Sequence, residues 1–262
     1  MDFILLLLIG LFAGVSGSIV GLGGGFIIVP FLIFLYPSSP ATISGTSMAV
    51  LFFTAISSTW TYAKQKKIDF KSGWAFGLSM IPGSILGAWM ANAISSKGFY
   101  IGFGVFLLCV AIFLLFKPNR KVTTFFKPTI TREFADITGQ NYKYEFPMWF
   151  GILVAFVVGF LSSLFGVGGG SVMVPTMVLL LTFPAHIATA TSMFGILLSS
   201  FVGTLSHGLL HDILWRKVLW LAPGALLGGQ LGARIAAKLP AKILLRILAS
   251  ALIVVSLRII FK

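Results

Sequence analysis

Apolar residues form long runs along this chain, and polar residues fall in short stretches between them. No Asp, Glu, Lys or Arg lies between positions 2 and 64, between 71 and 97, or between 145 and 216 apart from Asp212. Uncharged apolar runs of about 18 residues or more are typical of helices that span a membrane. The pattern therefore predicts an all-α, polytopic membrane protein.

Ten apolar segments can be counted, five on each side of a polar stretch. In the first half they cover residues 3–20, 26–36, 41–63, 73–94 and 99–116. In the second half they cover residues 147–165, 171–183, 187–208, 215–237 and 243–261. The pattern predicts a first membrane repeat over residues 1–117, a polar and cytoplasmic linker over 118–146, and a second membrane repeat over 147–262.

The two halves share motifs at a constant spacing. The stretch GLGGGFIIVP at Gly21–Pro30 recurs as GVGGGSVMVP at Gly166–Pro175, which is 145 residues later. The triplet Thr46–Met48 recurs at the same spacing as Thr191–Met193. The chain is therefore a tandem repeat.

The first two segments of each half are joined by the glycines. A single helix from Phe3 to Tyr36 would be about 50 Å long, against a hydrocarbon core of about 30 Å. The chain must therefore fold back there, as a full hairpin or as a V inside the membrane. Either arrangement leaves an odd number of crossings in each half, which predicts that the second repeat is inverted relative to the first. The positive charges do not decide between an inverted and a parallel repeat, because 14 of the 19 basic residues lie on the cytoplasmic side in either arrangement.

Clustered glycines break a membrane helix, and this is tolerated where the freed backbone is buried in protein or lines a polar cavity. New helices begin near Phe26 and Ser171. Their first amides lack helical partners and carry the positive end of the helix dipole, an arrangement that binds anions. We expect one anion site between the halves, built by Gly21, Gly23, Gly24, Gly25, Gly166, Gly168, Gly169 and Gly170.

The alternative role of glycine in a membrane helix is close packing against another helix. We expect this role for the isolated glycines Gly14, Gly17, Gly83, Gly87, Gly159, Gly224 and Gly228. The same alternative stays open for the clustered glycines.

Hydroxyl pairs follow the glycines in both halves, at Thr46 and Ser47 and at Thr191 and Ser192. Such hydroxyls donate either to a bound oxyanion or to the carbonyl four residues earlier in their own helix. Gln230, in an otherwise apolar segment, either reaches the same cavity or bonds to another helix.

The positions of the charged residues also limit the kind of ion that the protein could transport. All six acidic residues lie in loops or at segment ends, whereas proton and cation pathways usually use carboxylates within the membrane. A site of amides and hydroxyls suits an anion. The net charge of +13 comes from clusters between the apolar runs, which is typical of cytoplasmic loops beside anionic lipid and not of a nucleic-acid-binding protein.

The histidines His207 and His211 are four residues apart and precede Asp212. No further cysteine or histidine supports a metal site, so we expect neither metal nor cofactor. His207 is a candidate for proton coupling, since imidazole titrates near neutral pH, or for holding the substrate, and the alternative is an interfacial histidine pair at a helix end.

A glycine-rich GxGGG motif with a following Val-Pro and a Thr-Ser-Met helix, present twice, resembles the sulfite exporter TauE/SafE family of membrane permeases. The resemblance covers both halves. It implies transport of sulfur-containing anions such as sulfite, thiosulfate or sulfoacetate across the cell membrane.

The sequence thus predicts a permease that binds a small anion at the midplane and exposes it alternately to the two sides. An anion channel is the first alternative. A membrane enzyme is the second, although no paired carboxylates in the membrane and no nucleophile elbow support it. The expected partners are the anion and the lipid bilayer, and a homodimer is left open.

Overall fold

The computed structural model describes residues 2–116, 130–135, 141–236, 253 and 256. The helices of the first half are α1 (Asp2–Val20), α2 (Gly25–Leu35), α3 (Pro40–Lys64), α4 (Phe70–Ala93) and α5 (Ser96–Phe116). Those of the second half are α6 (Met148–Phe165), α7 (Gly170–Leu179), α8 (Ala185–Leu209) and α9 (Trp215–Ala236). They match the first nine predicted segments within a few residues, and the tenth, 243–261, lies almost entirely outside the described residues.

Within the described part of the chain, α1, α3, α4, α6 and α8 are long and apolar enough to cross a membrane by length and composition. This confirms the prediction of a polytopic helical membrane protein. The most apolar windows of α3 and α8 are 72% and 67% buried, against 44% for α1, α4 and α6. Helices α3 and α8 therefore form the centre, and the other three lie around them.

Two helix starts are fixed by side chains that precede them. The hydroxyl of Ser39 accepts a hydrogen bond from the Thr42 amide at 3.2 Å, and Pro40 occupies the first turn of α3. The carboxylate of Asp69 accepts from the Ser72 amide at 3.1 Å at the start of α4. Both caps satisfy amides that have no partner inside the helix.

The first helix of each half packs against the fourth helix of the other half. Gly10 and Gly14 of α1 lie against the carbonyls of Leu221 and Ala225 in α9, so these two helices run parallel. Helices α4 and α6 pack in the same way, with Gly83 and Gly87 against the carbonyls of Phe156 and Phe160. Such close approach is the usual role of small residues between membrane helices.

The predicted packing role is confirmed for the isolated glycines. A Cβ atom at any of them would overlap the backbone of a neighbouring segment. For Gly17 that neighbour is Gly23 and Gly24 of its own half, so this glycine supports the turn between α1 and α2.

The central helices α3 and α8 run in opposite directions. Gly45, near the start of α3, lies against His207, near the end of α8. Tyr62, near the end of α3, shares a hydrophobic cluster with Ala190, near the start of α8. Equivalent helices of the two halves are thus antiparallel at the centre.

The predicted linker contains a β-hairpin, an element absent from the predicted all-α fold. Strands β1 (Ile130–Ala135) and β2 (Asn141–Phe146) pair antiparallel, with Ile130 opposite Phe146. Tyr144 and Phe146 are buried and share a core cluster with Phe76 and Phe183. The alternation of Tyr142, Tyr144 and Phe146 with polar residues in β2 was the sequence signal for this strand.

Candidate functional site at the crossing of the two glycine motifs

The first glycine motif turns the chain between α1 and α2. Gly21, Gly23 and Gly24 have φ angles of 79°, 83° and 100°. Residues with a Cβ atom rarely adopt φ angles this large and positive, so the turn strongly favours glycine at these positions. The turn brings Gly24 against the carbonyl of Ala13, and the start of α2 therefore lies beside the last turns of α1.

The second motif makes a similar turn between α6 and α7, with one difference. Gly166 and Gly168 have φ angles of 66° and 86°, like Gly21 and Gly23. Gly169 has a φ of −60°, whereas its counterpart Gly24 is left-handed. The repeated sequence therefore does not impose an identical backbone.

The two motifs lie directly against each other. A Cβ atom at Gly25 would overlap the carbonyl oxygen of Gly166, and one at Gly170 would overlap the carbonyl oxygen of Gly21. These two contacts are equivalent under the 145-residue spacing. We call this region, formed by Gly21–Gly25 and Gly166–Gly170, the glycine crossing.

Ser47 and Ser192 connect the halves at the glycine crossing. The Ser47 hydroxyl donates to the Gly166 carbonyl oxygen at 2.5 Å, and the Ser192 hydroxyl donates to the Gly21 carbonyl oxygen at 3.2 Å. These bonds are again equivalent under the repeat. Among the hydrogen bonds of the described residues, neither serine donates to its own helix, and each donates to the glycine motif of the opposite half.

Thr46 and Thr191 hold the loops that follow the central helices. The Thr46 hydroxyl donates to the Thr42 carbonyl at 2.6 Å and accepts from the Leu214 amide at 3.0 Å. The Thr191 hydroxyl accepts from the Asp69 amide at 3.0 Å. Thr46 thus makes the bond to its own helix that the sequence left as an alternative, and both threonines also bond the other half.

Every residue from Gly21 to Phe26 and from Gly166 to Ser171 is buried. The Ser171 hydroxyl donates to the Gly168 carbonyl at 3.3 Å, which closes the first turn of α7. The structure thus brings the predicted glycines, Phe26, Ser171 and the hydroxyl pairs into one buried region. Gln230 is the exception, because it lines a cavity to which neither glycine motif contributes.

His207 is fully buried in α8, and its Nε2 atom lies 3.2 Å from the Ser163 carbonyl oxygen. The equivalent position of the first half carries Tyr62, whose hydroxyl donates to the Ser18 carbonyl at 2.8 Å. Ser18 and Ser163 are themselves 145 residues apart, so both side chains have the same role in their halves. The Nδ1 atom of His207 has no hydrogen-bond partner among the described residues.

The 145-residue spacing alone could have identified Tyr62 as the residue of the first half that is equivalent to His207. It could not have shown that each side chain bonds a serine carbonyl, since the register of α3 on α1 and of α8 on α6 depends on packing. The Ser18 carbonyl belongs to α1 and the Ser163 carbonyl to α6.

The β-hairpin is attached to the membrane helices through Asp69. The Asp69 Oδ2 atom accepts from the Tyr144 hydroxyl at 2.9 Å and lies 3.6 Å from Nε of Arg132. Burial, together with the nearby Asp69 carboxylate, raises the pKa of Tyr144 well above its ordinary value. The phenol therefore stays protonated and donates at physiological pH.

A family model described as Sulfite exporter TauE/SafE matches residues 6–259 of the chain. The protein belongs to the TauE/SafE family. This membership and the apolar helices described above make it a multi-pass transport protein of the cell membrane. The family assignment made from the repeated motifs is confirmed.

Named relatives of this TauE/SafE protein agree with the assignment. It is 43% identical to the probable membrane transporter protein YunE of Bacillus subtilis, over 88% of this chain and 87% of the relative. It is 32% identical to a probable membrane transporter protein of Methanocaldococcus jannaschii, over 78% of this chain and 71% of the relative. No solved structure matches the chain.

Proposed function

We propose that the protein transports small anions, in particular sulfur-containing oxyanions or organosulfonates such as sulfite, thiosulfate or sulfoacetate. The anion binds at the glycine crossing, and the two halves expose it alternately to the two sides of the membrane. The reciprocal contact of the two motifs carries this proposal, because it places two helix starts and two serine hydroxyls from opposite halves in one buried region.

The antiparallel arrangement of α3 and α8 supports an inverted repeat. A twofold axis that relates two antiparallel helices is perpendicular to them and so lies in the plane of the membrane. The parallel packing of α1 on α9 and of α4 on α6 agrees with the same axis. Inverted repeats with a site at their interface are a common basis of alternating access.

The crossing has suitable chemistry for an oxyanion. In the present conformation the hydroxyls of Ser47 and Ser192 donate to glycine carbonyls. A neutral hydrogen bond contributes about 1 kcal/mol net, and a hydrogen bond to a charged group about 1.5–3 kcal/mol. An oxyanion is therefore a stronger acceptor for these two hydroxyls than the glycine carbonyls are, once the halves move apart.

We propose His207 as the proton-coupling group. Its buried ring keeps one nitrogen without a partner among the described residues, whereas its counterpart Tyr62 is a phenol and has no ring nitrogen to protonate. Only one half therefore carries a titratable imidazole at this position.

Uptake of radiolabelled thiosulfate, sulfite and sulfoacetate into proteoliposomes tests the site. We expect Ser47→Ala and Ser192→Ala each to lower kcat/KM by about 10-fold or more, since each removes a donor to a charged group. Ser206→Ala is the matched control, because that hydroxyl bonds the Val202 carbonyl of its own helix. Wild-type uptake in both crossing variants would overturn the proposed site.

A further inference from the structure

The fourth helix of each half packs within the opposite half, and glycines make this packing close. Gly10 and Gly14 of α1 lie against carbonyls of α9. From the other side, Gly224, Gly228 and Gly232 of α9 lie against carbonyls of α1. Because both helices present glycine to the contact, their backbones stay close over about two helical turns.

Helix α3 is bonded to both members of this pair. The Ser57 hydroxyl donates to the Leu226 carbonyl of α9 at 2.5 Å. The Tyr62 hydroxyl donates to the Ser18 carbonyl of α1 at 2.8 Å. Helices α1, α3 and α9 are therefore joined on all three sides, although α9 comes from the other half of the sequence. We call these three helices the first bundle.

Helices α4, α6 and α8 are joined in the equivalent way, and we call them the second bundle. Gly83 of α4 lies against a carbonyl of α6. The rings of Trp74 in α4 and Phe194 in α8 have their centres 5.2 Å apart. The His207 ring of α8 lies 3.2 Å from the Ser163 carbonyl oxygen of α6. Here the helix that comes from the other half of the sequence is α4.

The two bundles meet along a seam between α3 and the helices α6 and α8. The Ser44 hydroxyl of α3 donates across it to the Leu164 carbonyl of α6 at 2.7 Å. The Ser162 hydroxyl of α6 lies 3.9 Å from the sulfur of Met48 in α3. The glycine crossing belongs to the same seam, because its two motifs follow α1 and α6, one from each bundle. The proposed anion site thus lies between the bundles.

Two motions could open this site. Separation of the sequence halves would have to open the close contacts of α1 with α9 and of α4 with α6 as well as the seam. Separation of the bundles opens the seam and leaves both glycine contacts closed, so it loses less packing. We infer that the bodies that move during transport are the two bundles, in which α4 and α9 are exchanged between the halves. This inference rests on the proposed function, since it specifies the motion that exposes the same site.

Cysteine reporters distinguish the two motions. The exposed Cys109 is first replaced by serine. Ser162→Cys then reports on the seam, Ser58→Cys on the contact of α3 with the Gly229 carbonyl of α9, and Ser84→Cys on the contact of α4 with α6. All three serines are buried, and all three face the other half of the sequence. Their modification by a small methanethiosulfonate reagent is measured in proteoliposomes, with and without thiosulfate.

Motion of the bundles should expose the seam and leave the other two contacts closed. We expect Ser162→Cys to be modified about 10-fold faster than Ser58→Cys and Ser84→Cys, because modification of a buried group follows the population of the open form. Motion of the sequence halves would expose all three. Similar rates at the three reporters, whether high or low, would therefore overturn the inference.

A matched pair of serines in α3 gives a second test in the Ser162→Cys protein. Ser44 and Ser57 both donate to a carbonyl of the second half, but the Ser44 bond crosses the seam and the Ser57 bond stays within the first bundle. Ser44→Ala should raise the modification rate about fivefold, the factor that corresponds to one neutral hydrogen bond. Ser57→Ala should leave it unchanged. An equal increase in both variants, or none in Ser44→Ala, would contradict motion of the bundles.

Uptake of thiosulfate by the same proteoliposomes separates this inference from the proposed function. The expected pattern of modification without protein-dependent uptake would remove the proposed substrate and leave the bundles as the moving bodies. Uptake with similar rates at all three reporters would remove the bundles and leave the proposed function.

Discussion

The loops after α3 and α8 occupy equivalent places and differ in what they hold. In both loops one residue is left-handed, Lys66 with a φ of 51° and His211 with a φ of 60°. Both loops give a backbone amide to a threonine of the opposite half, from Asp69 to Thr191 and from Leu214 to Thr46. The backbone contacts thus follow the repeat.

The side chains of the two loops do not follow the repeat. Asp69 holds the β-hairpin through Tyr144 and Arg132, whereas its counterpart Leu214 has no carboxylate. The second loop has its own buried carboxylate two residues earlier, where Asp212 accepts from Asn92 at 2.5 Å. The repeat therefore determines a shared scaffold, and single substitutions make its two ends chemically different.

Substitution of Gly24 and of its counterpart Gly169 should give the largest difference in stability between the two halves. Gly24→Ala places a Cβ atom on a left-handed backbone and against the Ala13 carbonyl. Strain of this kind costs about 1–3 kcal/mol before the overlap is counted, so we expect severe loss of folded protein. Gly169→Ala keeps a φ of −60° and meets the side chains of Val158 and Met80, which can move.

Thermal unfolding in detergent, followed by size-exclusion fluorescence, compares these two variants. We expect Gly169→Ala to remain monodisperse with a modest decrease in Tm. Equal loss of folded protein in both variants would contradict the difference in backbone conformation between Gly24 and Gly169.

Removal of the carboxylate at Asp69 should have the next largest effect. Asp69→Ala removes the cap of α4 and leaves Tyr144 and Arg132 without this partner. Loss of a cap costs about 1 kcal/mol, and loss of a buried hydrogen-bonded partner a further 1–3 kcal/mol. Hydrogen exchange at residues 141–146 should rise strongly, while Leu214→Ala leaves it unchanged. Protection of β2 in Asp69→Ala would show that the hairpin is held by its aromatic core alone.

Replacement of His207 by tyrosine, the residue at the equivalent position of the first half, separates a structural role of His207 from a role in proton coupling. His207→Tyr places a hydroxyl near the Ser163 carbonyl, as Tyr62 does at Ser18. We expect this variant to fold and to lose the stimulation of uptake by a pH gradient, because it has no imidazole to protonate. Uptake that keeps its dependence on the pH gradient would assign His207 a structural role only.

The smallest effect is expected at the exposed end of the hairpin. The Lys143 ammonium lies 2.6 Å from a Glu133 carboxylate oxygen, which raises the pKa of Lys143. A lysine with a raised pKa contributes any stability below its ordinary pKa and loses it at strongly alkaline pH. Because both side chains are exposed, Glu133→Gln should leave Tm unchanged at pH 7, in contrast to Asp69→Ala. A clear decrease in Tm would show that this ion pair stabilises the hairpin.

Much of the scaffold could be predicted from the sequence because apolar periodicity and the 145-residue spacing are local or pairwise features. The ends of α1 and α6, at Val20 and Phe165, follow directly from the glycines. The reciprocal bonds of Ser47 and Ser192 could not be predicted, because they depend on how the halves pack. Nor does any sequence pattern show which hydroxyls of α3 bond another part of the chain, as those of Ser44, Ser47 and Ser57 do.

The central claim, that the halves expose one anion site alternately, is tested most directly by counterflow in proteoliposomes. Vesicles loaded with unlabelled thiosulfate should take up labelled thiosulfate faster than empty vesicles, and the rate should saturate with concentration. Uptake that rises linearly and ignores the internal anion would contradict alternating access and support a channel. Absence of protein-dependent uptake for thiosulfate, sulfite and sulfoacetate alike would contradict the proposed substrates.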